Sequence, residues 1–248
     1  MPALPPLVCR LACISAVGAI MMYGSEILFW SVPPANTTAQ ELALTWMAYS
    51  LCSAVFVGLL ARFRVSDWRG LFLCGSIFGW LVEGVIVGEM YQEFPYQLIW
   101  TPLAWHALIT ALGMFWLVRV SAEWTVRAQI VFVAVMGLYF GLWALWWPIE
   151  RQPMPGMVES VFYLIGLAAF PVAAQFVIDR WGWSLLDMTR AELGIAAFAL
   201  AGIWLTQVHA APKWLHLTLP MLLALTLWML ERQPAGPPMK QRWVAVRA

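Results

Sequence analysis

Eight continuous apolar runs, most of them long enough to cross a bilayer, alternate with short polar segments along the chain. They cover Leu7–Trp30, Leu42–Leu60, Gly70–Gly88, Leu98–Val118, Gln129–Trp147, Met157–Ile178, Leu193–Thr206 and Leu215–Leu230. A helical crossing takes about 20 residues, so the seventh run is short and the eighth only adequate. None shows the in–out alternation of a membrane barrel strand. The pattern predicts an all-α fold: a polytopic transmembrane helical bundle of about eight spans occupying residues 1–231. Residues 232–248 are Pro-rich and basic, and are expected to form a flexible cytoplasmic tail attracted to anionic lipid.

Basic residues orient the bundle. With the amino terminus in the cytoplasm, the inner segments hold Arg10, Arg62, Arg64, Arg69, Arg119, Arg127, Arg180, Arg190, Arg232, Lys240, Arg242 and Arg247, and the outer ones hold only Arg151 and Lys213. A missed or invented span in mid-chain would scramble this alternation, so eight crossings with both termini cytoplasmic are expected. Trp30, Trp100, Trp146, Trp147 and Trp214 fall at outer helix ends and Trp68, Trp124, Trp181, Trp183 and Trp228 at inner ends, where amphipathic rings anchor at the headgroups. Cleavage of the first run as a signal peptide is not expected: no small-residue cleavage site comes after it, and Glu26 interrupts the region.

Composition agrees, with 62% hydrophobic and 11% charged residues and a mean hydropathy of +0.77. A soluble domain is about a quarter charged. The net charge of +1 gives no reason to expect a nucleic-acid partner; membrane lipids are the expected surroundings. Cys9, Cys13, Cys52 and Cys74 form no paired metal-ligand spacing and read as packing residues without disulfides. Nucleotide-binding loops and zinc-protease helices are absent from the sequence. Arginine outnumbers lysine twelve to two and tryptophan is abundant, as in proteins of GC-rich bacteria, which points to a bacterial inner membrane.

Polar residues are divided unequally between the two sides. Glu26, Glu41, Glu83, Glu89, Glu93, Glu150 and Glu159 fall in the outer half, together with His106, His209 and His216. Glu41, Glu93 and Glu150 lie in loops and need no function. An ionisable group within a span costs roughly 2.5–3.5 kcal/mol on insertion scales and normally faces the interior. Glu83 is the strongest case, about 7 Å deep on a helix whose Gly75, Gly79 stripe suits close packing. The next span returns antiparallel and carries His106 about 12 Å deep, with Thr110 one turn on. Pro102 frees the carbonyl of Leu98 and is expected to kink that helix, opening room for a polar cavity. Glu26 on the first span, and Glu159 with Tyr163 on the sixth, are further candidates.

A buried Glu beside a His can share a proton and act as acid and base. With a further ligand such as His209 or His216 it could instead hold a divalent metal whose bound water becomes the nucleophile. Gly24-Ser-Glu-Ile-Leu-Phe-Trp30 and Trp105-His106 resemble motifs of the glutamate-dependent intramembrane proteases that process CAAX proteins and bacteriocins. Ser25 stands where that family has its first Glu, the motif's Arg is missing, and the separation of Glu26 from His106 is too long, so no family is assigned. The expected function is a membrane-embedded hydrolase or transferase acting on a lipid or lipid-linked substrate in the outer leaflet. Glu83 and His106 would be its catalytic pair, assisted by Glu26 and Glu159. A proton- or cation-coupled transporter is the alternative, and an assembly subunit without chemistry the third reading.

Overall fold

The computed structural model describes residues 4–34, 37–146 and 155–233. The described residues form helices and no strand. Among the described residues eight helices are long and apolar enough to cross a membrane: α1 Pro6–Trp30, α2 Ala39–Arg62, α3 Trp68–Val87, α4 Tyr96–Ser121, α5 Val126–Ala144, α6 Met157–Asp187, α7 Arg190–Ala210 and α8 Lys213–Glu231. This is the make-up of a multi-pass membrane protein. The expected tail beyond residue 233 and the segment 147–154, which contains Glu150 and Arg151, lie outside the described residues.

The helices begin where the sequence supplies caps. Thr38 and Glu41 form a reciprocal capping box at α2, as do Thr189 and Glu192 at α7, while Asp67 accepts from the Gly70 N–H at α3. Each satisfies backbone donors that a helix start leaves open. The box at Thr189 extends α7 beyond the apolar run that predicts it, because Glu192 is held by the cap and by Arg10 (2.8 Å). A polar residue with those partners does not end the helix.

The core lies in the first half of the chain. In its apolar window α3 is 83% buried, α1 61% and α2 50%, whereas α5 has no buried residue. Such a difference makes α3 central and leaves α5 to α8 as an apolar periphery. Small residues set the close crossings. A Cβ on Gly75 would meet the Ala111 Cβ at 2.8 Å, and one on Gly18 would collide with the Ser50 hydroxyl and lie 2.7 Å from its Cα. Phe56 then bridges Phe78 and Phe115 at ring separations of 6.1 and 5.2 Å.

Pro102 acts as expected on the carbonyl it frees. The indole of Trp80, on α3, donates to the Leu98 oxygen at 3.0 Å. Beyond it, α4 is wound as a π-helix from Trp100 to Leu117. Among the described residues two shorter π segments occur, at Tyr23–Ile27 in α1 and Val82–Val87 in α3.

Candidate functional site

All three π segments carry polar residues of one cluster: Ser25 and Glu26 on α1, Glu83 on α3, and His106 and Thr110 on α4. A π-turn inserts an extra residue and rotates the rest of the helix, so it re-aims side chains that a regular helix would point elsewhere. Gly24 permits the approach of α1 to α4, since a Cβ there would crowd Met114 and Thr110 at 3.1–3.3 Å. Trp105 ties the same two helices by donating to the Gly24 carbonyl at 2.9 Å.

His106 is the centre. Its Nε2 lies 2.8 Å from Glu83 Oε1, and its Nδ1 lies 2.8 Å from Ser25 Oγ. Ser25 also shares a hydrogen bond with Thr110 Oγ1 at 3.0 Å. All four residues are buried, and the imidazole makes a T-shaped contact with the Phe78 ring. Glu26 lines the same space and is fixed separately, accepting from Tyr49 OH at 2.7 Å and from Trp30 Nε1 at 3.3 Å.

Ser25, Glu26, Glu83 and His106 line a cavity of about 640 Å³. Ser25, Glu83, Gln97, Thr101, Trp105 and His106 are its buried part, and Val87, Glu89, Glu93, Tyr96 and Trp146 its exposed rim. Thr101 donates to Gln97 Oε1 at 2.8 Å, which orders that wall. At the rim, partial withdrawal from water and the neighbouring carboxylates of Glu83, Glu93 and Glu26 push the Glu89 carboxyl up.

Glu83, His106 and Glu26 therefore meet, while other expected participants lie elsewhere. Glu159 is exposed near the start of α6 and does not line the cavity. Tyr163, one turn along, is also outside the lining. His209 is exposed at the end of α7, and His216, in the first turn of α8, bonds the Ala211 carbonyl at 3.0 Å. The metal set of Glu83, His106 and His209 is not assembled, and among the described residues no three His, Cys, Asp or Glu side chains gather as ligands. The four cysteines are buried thiols and do not line the cavity. Sequence reasoning passed over two contributors. Ser25 entered only as a departure from a motif, and Trp143 was not singled out, although it reaches the cavity from α5.

Compared with known proteins, the chain matches no family model, no curated protein and no solved structure. Its fold and site define it as a multi-pass helical protein with a polar chamber near one end of the bundle. Function is read from the chamber.

Proposed function

We propose that the protein is a membrane-embedded hydrolase or transferase whose proton relay is Ser25–His106–Glu83. One observation carries this reading: a buried imidazole is held at 2.8 Å on both sides, by a hydroxyl and by a carboxylate, beside a cavity large enough for substrate. Nucleophile, base and orienting group in hydrogen-bonded sequence are the general requirement for activating a serine. With Glu83 accepting the Nε2 proton, Nδ1 is free to take the Ser25 proton as Oγ attacks an acyl or phosphoryl centre. The imidazolium so formed is stabilised by Glu83 and returns the proton to the leaving group. Water in a hydrolase, or an acceptor hydroxyl or amine in a transferase, then releases the group from Ser25.

The distribution of basic residues supports an orientation with both termini in the cytoplasm and the chamber in the outer half of a bacterial inner membrane. A lipid or lipid-linked substrate suits that position. A coupled transporter remains the alternative, but its site would lie near the midplane between broken helices, whereas here the acids gather toward one end.

The test needs no knowledge of the substrate. A fluorophosphonate probe on purified, folded protein should label Ser25, identified by peptide mass spectrometry. Labelling should vanish in Ser25→Ala and nearly vanish in His106→Ala. An unlabelled Ser25 in folded protein sinks the reading.

A further inference from the structure

The chamber is both acidic and aromatic. Glu26, Glu83, Glu89 and Glu93 line it, and among the described residues no Lys or Arg does. His106, the remaining charged-type residue, is engaged at both nitrogens. Glu83 adds a second, independent sign: Oε1 is bonded to His106, while Oε2 is buried with no hydrogen-bond partner among the described residues. A buried acceptor left unanswered costs about 1–3 kcal/mol, and more when charged, so a ligand that brings a positive charge to this wall is favoured.

The rest of the lining selects the kind of cation. Phe29, Trp105 and Trp143 are in mutual contact, with ring separations of 4.8 Å for Phe29–Trp105, 4.8 Å for Trp105–Trp143 and 5.5 Å for Phe29–Trp143. Trp100 continues the group at 6.0 Å from Trp143. Aromatic faces attract cations through their quadrupole, and do so best for large, weakly hydrated ones such as quaternary ammonium groups. A divalent metal ion asks instead for three or more converging hard ligands, which the described residues do not bring together. From the union of carboxylates and rings around one chamber we infer that it binds an organic cation, an amine or quaternary ammonium group. Resting on the hydrolase or transferase reading above, this group is the part of the substrate that sits beside the bond attacked by Ser25. The shared chemistry can belong to a lipid headgroup or to a soluble amine.

Choline is the probe, and dimethylbutanol, its neutral carbon isostere, the control. Binding to purified protein is monitored by calorimetry and by the intrinsic fluorescence of the chamber tryptophans. Choline should bind saturably and about tenfold or more tighter than the isostere. The double variant Glu89→Gln/Glu93→Gln, checked to unfold cooperatively and to melt no lower than wild type, should weaken choline about tenfold and leave the isostere unaffected. Equal affinity for the two molecules, or no choline binding by folded protein, overturns the inference. Repeating the titration in nanodiscs identifies the source. Competition by phosphatidylcholine but not phosphatidylglycerol assigns the cation to a lipid headgroup, and unchanged choline binding assigns it to a soluble amine. Ser25→Ala separates this inference from the catalytic one. If choline binds wild type and Ser25→Ala alike while the fluorophosphonate labels neither, the cation site stands and the catalytic reading fails. If Ser25 is labelled but choline neither binds nor protects it, the reverse holds.

Discussion

Gly79 rests directly on the backbone of Pro102. A Cβ on Gly79 would collide with the Pro102 carbonyl oxygen and lie 2.7 Å from its Cα. Backbone atoms cannot swing aside as a side chain can, so a methyl group here has to push α3 and α4 apart. Those two helices carry Glu83 and His106. Gly79→Ala is expected to cost at least about 1–3 kcal/mol, the usual penalty of overpacking, and to reduce Ser25 labelling in whatever protein remains folded. Gly141→Ala is the control, since a Cβ there meets nothing within 4 Å; its melting temperature should not fall. Equal melting temperatures for the two variants would contradict the close crossing.

Trp80 provides the second test of that crossing. Its indole occupies the Leu98 carbonyl that Pro102 leaves without a helical donor. Trp80→Phe keeps a ring in the site but removes the donor. A loss of about 1 kcal/mol is expected from the missing hydrogen bond, read from detergent melting curves, and Pro102→Ala should partly relieve it by restoring a helical N–H.

How far the sequence determines this architecture differs from element to element. The eight spans derive from unbroken apolar runs, because hydrocarbon tolerates only segments that satisfy their own backbone. The meeting of Glu83 and His106 was also legible: a glycine stripe turns Glu83 inward, and a short turn returns His106 antiparallel at similar depth. Ser25 was not legible. Its contact with His106 depends on the π-turn at Tyr23–Ile27, and no residue pattern announces such a turn. The aromatic wall was hidden for another reason, since a tryptophan at a helix end reads as a headgroup anchor whether it faces lipid or, like Trp100 and Trp146, a chamber. Glu159 misled because depth within a span says nothing about whether the helix is central, and α6 is peripheral.

Orientation can be tested directly. Single cysteines introduced at Glu93 and at Pro155 should react with a membrane-impermeant maleimide in intact cells, whereas those at Arg64 and Asp187 should react only after lysis. The native thiols are buried and should contribute little background. Labelling of Arg64 and Glu93 from the same side would remove both the eight-crossing topology and the outward chamber.

Glu89 predicts a pH effect at the chamber rim. Its folded carboxyl is raised above the ordinary value of 4.5 by partial burial and by the acids around it. A group with a raised folded pKa binds its proton more tightly when folded, so its contribution to stability falls as pH climbs through and above that ordinary value. Glu89→Gln should flatten this part of the stability–pH profile and melt higher than wild type at neutral pH. A profile parallel to wild type would show that Glu89 does not sense the chamber's charge.

The decisive variant is Glu83→Gln. Removing His106 or truncating Glu83 leaves a buried partner unsatisfied, at a cost of about 1–3 kcal/mol, so lost folding in such variants separates nothing. Glutamine keeps the length and shape of Glu83 and can still accept from His106 Nε2 through its amide oxygen. What it cannot do is stabilise the positive imidazolium that forms when Ser25 gives up its proton. The relay therefore predicts a protein that inserts and melts within a few degrees of wild type, yet reacts with the fluorophosphonate about 10²–10⁴-fold more slowly, the usual range for losing acid–base assistance. If the Glu83–His106 contact serves only to hold α3 against α4, the same variant labels at the wild-type rate or not at all in either form. Comparing the labelling rate with the melting curve, on one preparation, decides between a pair that moves protons and a pair that packs helices.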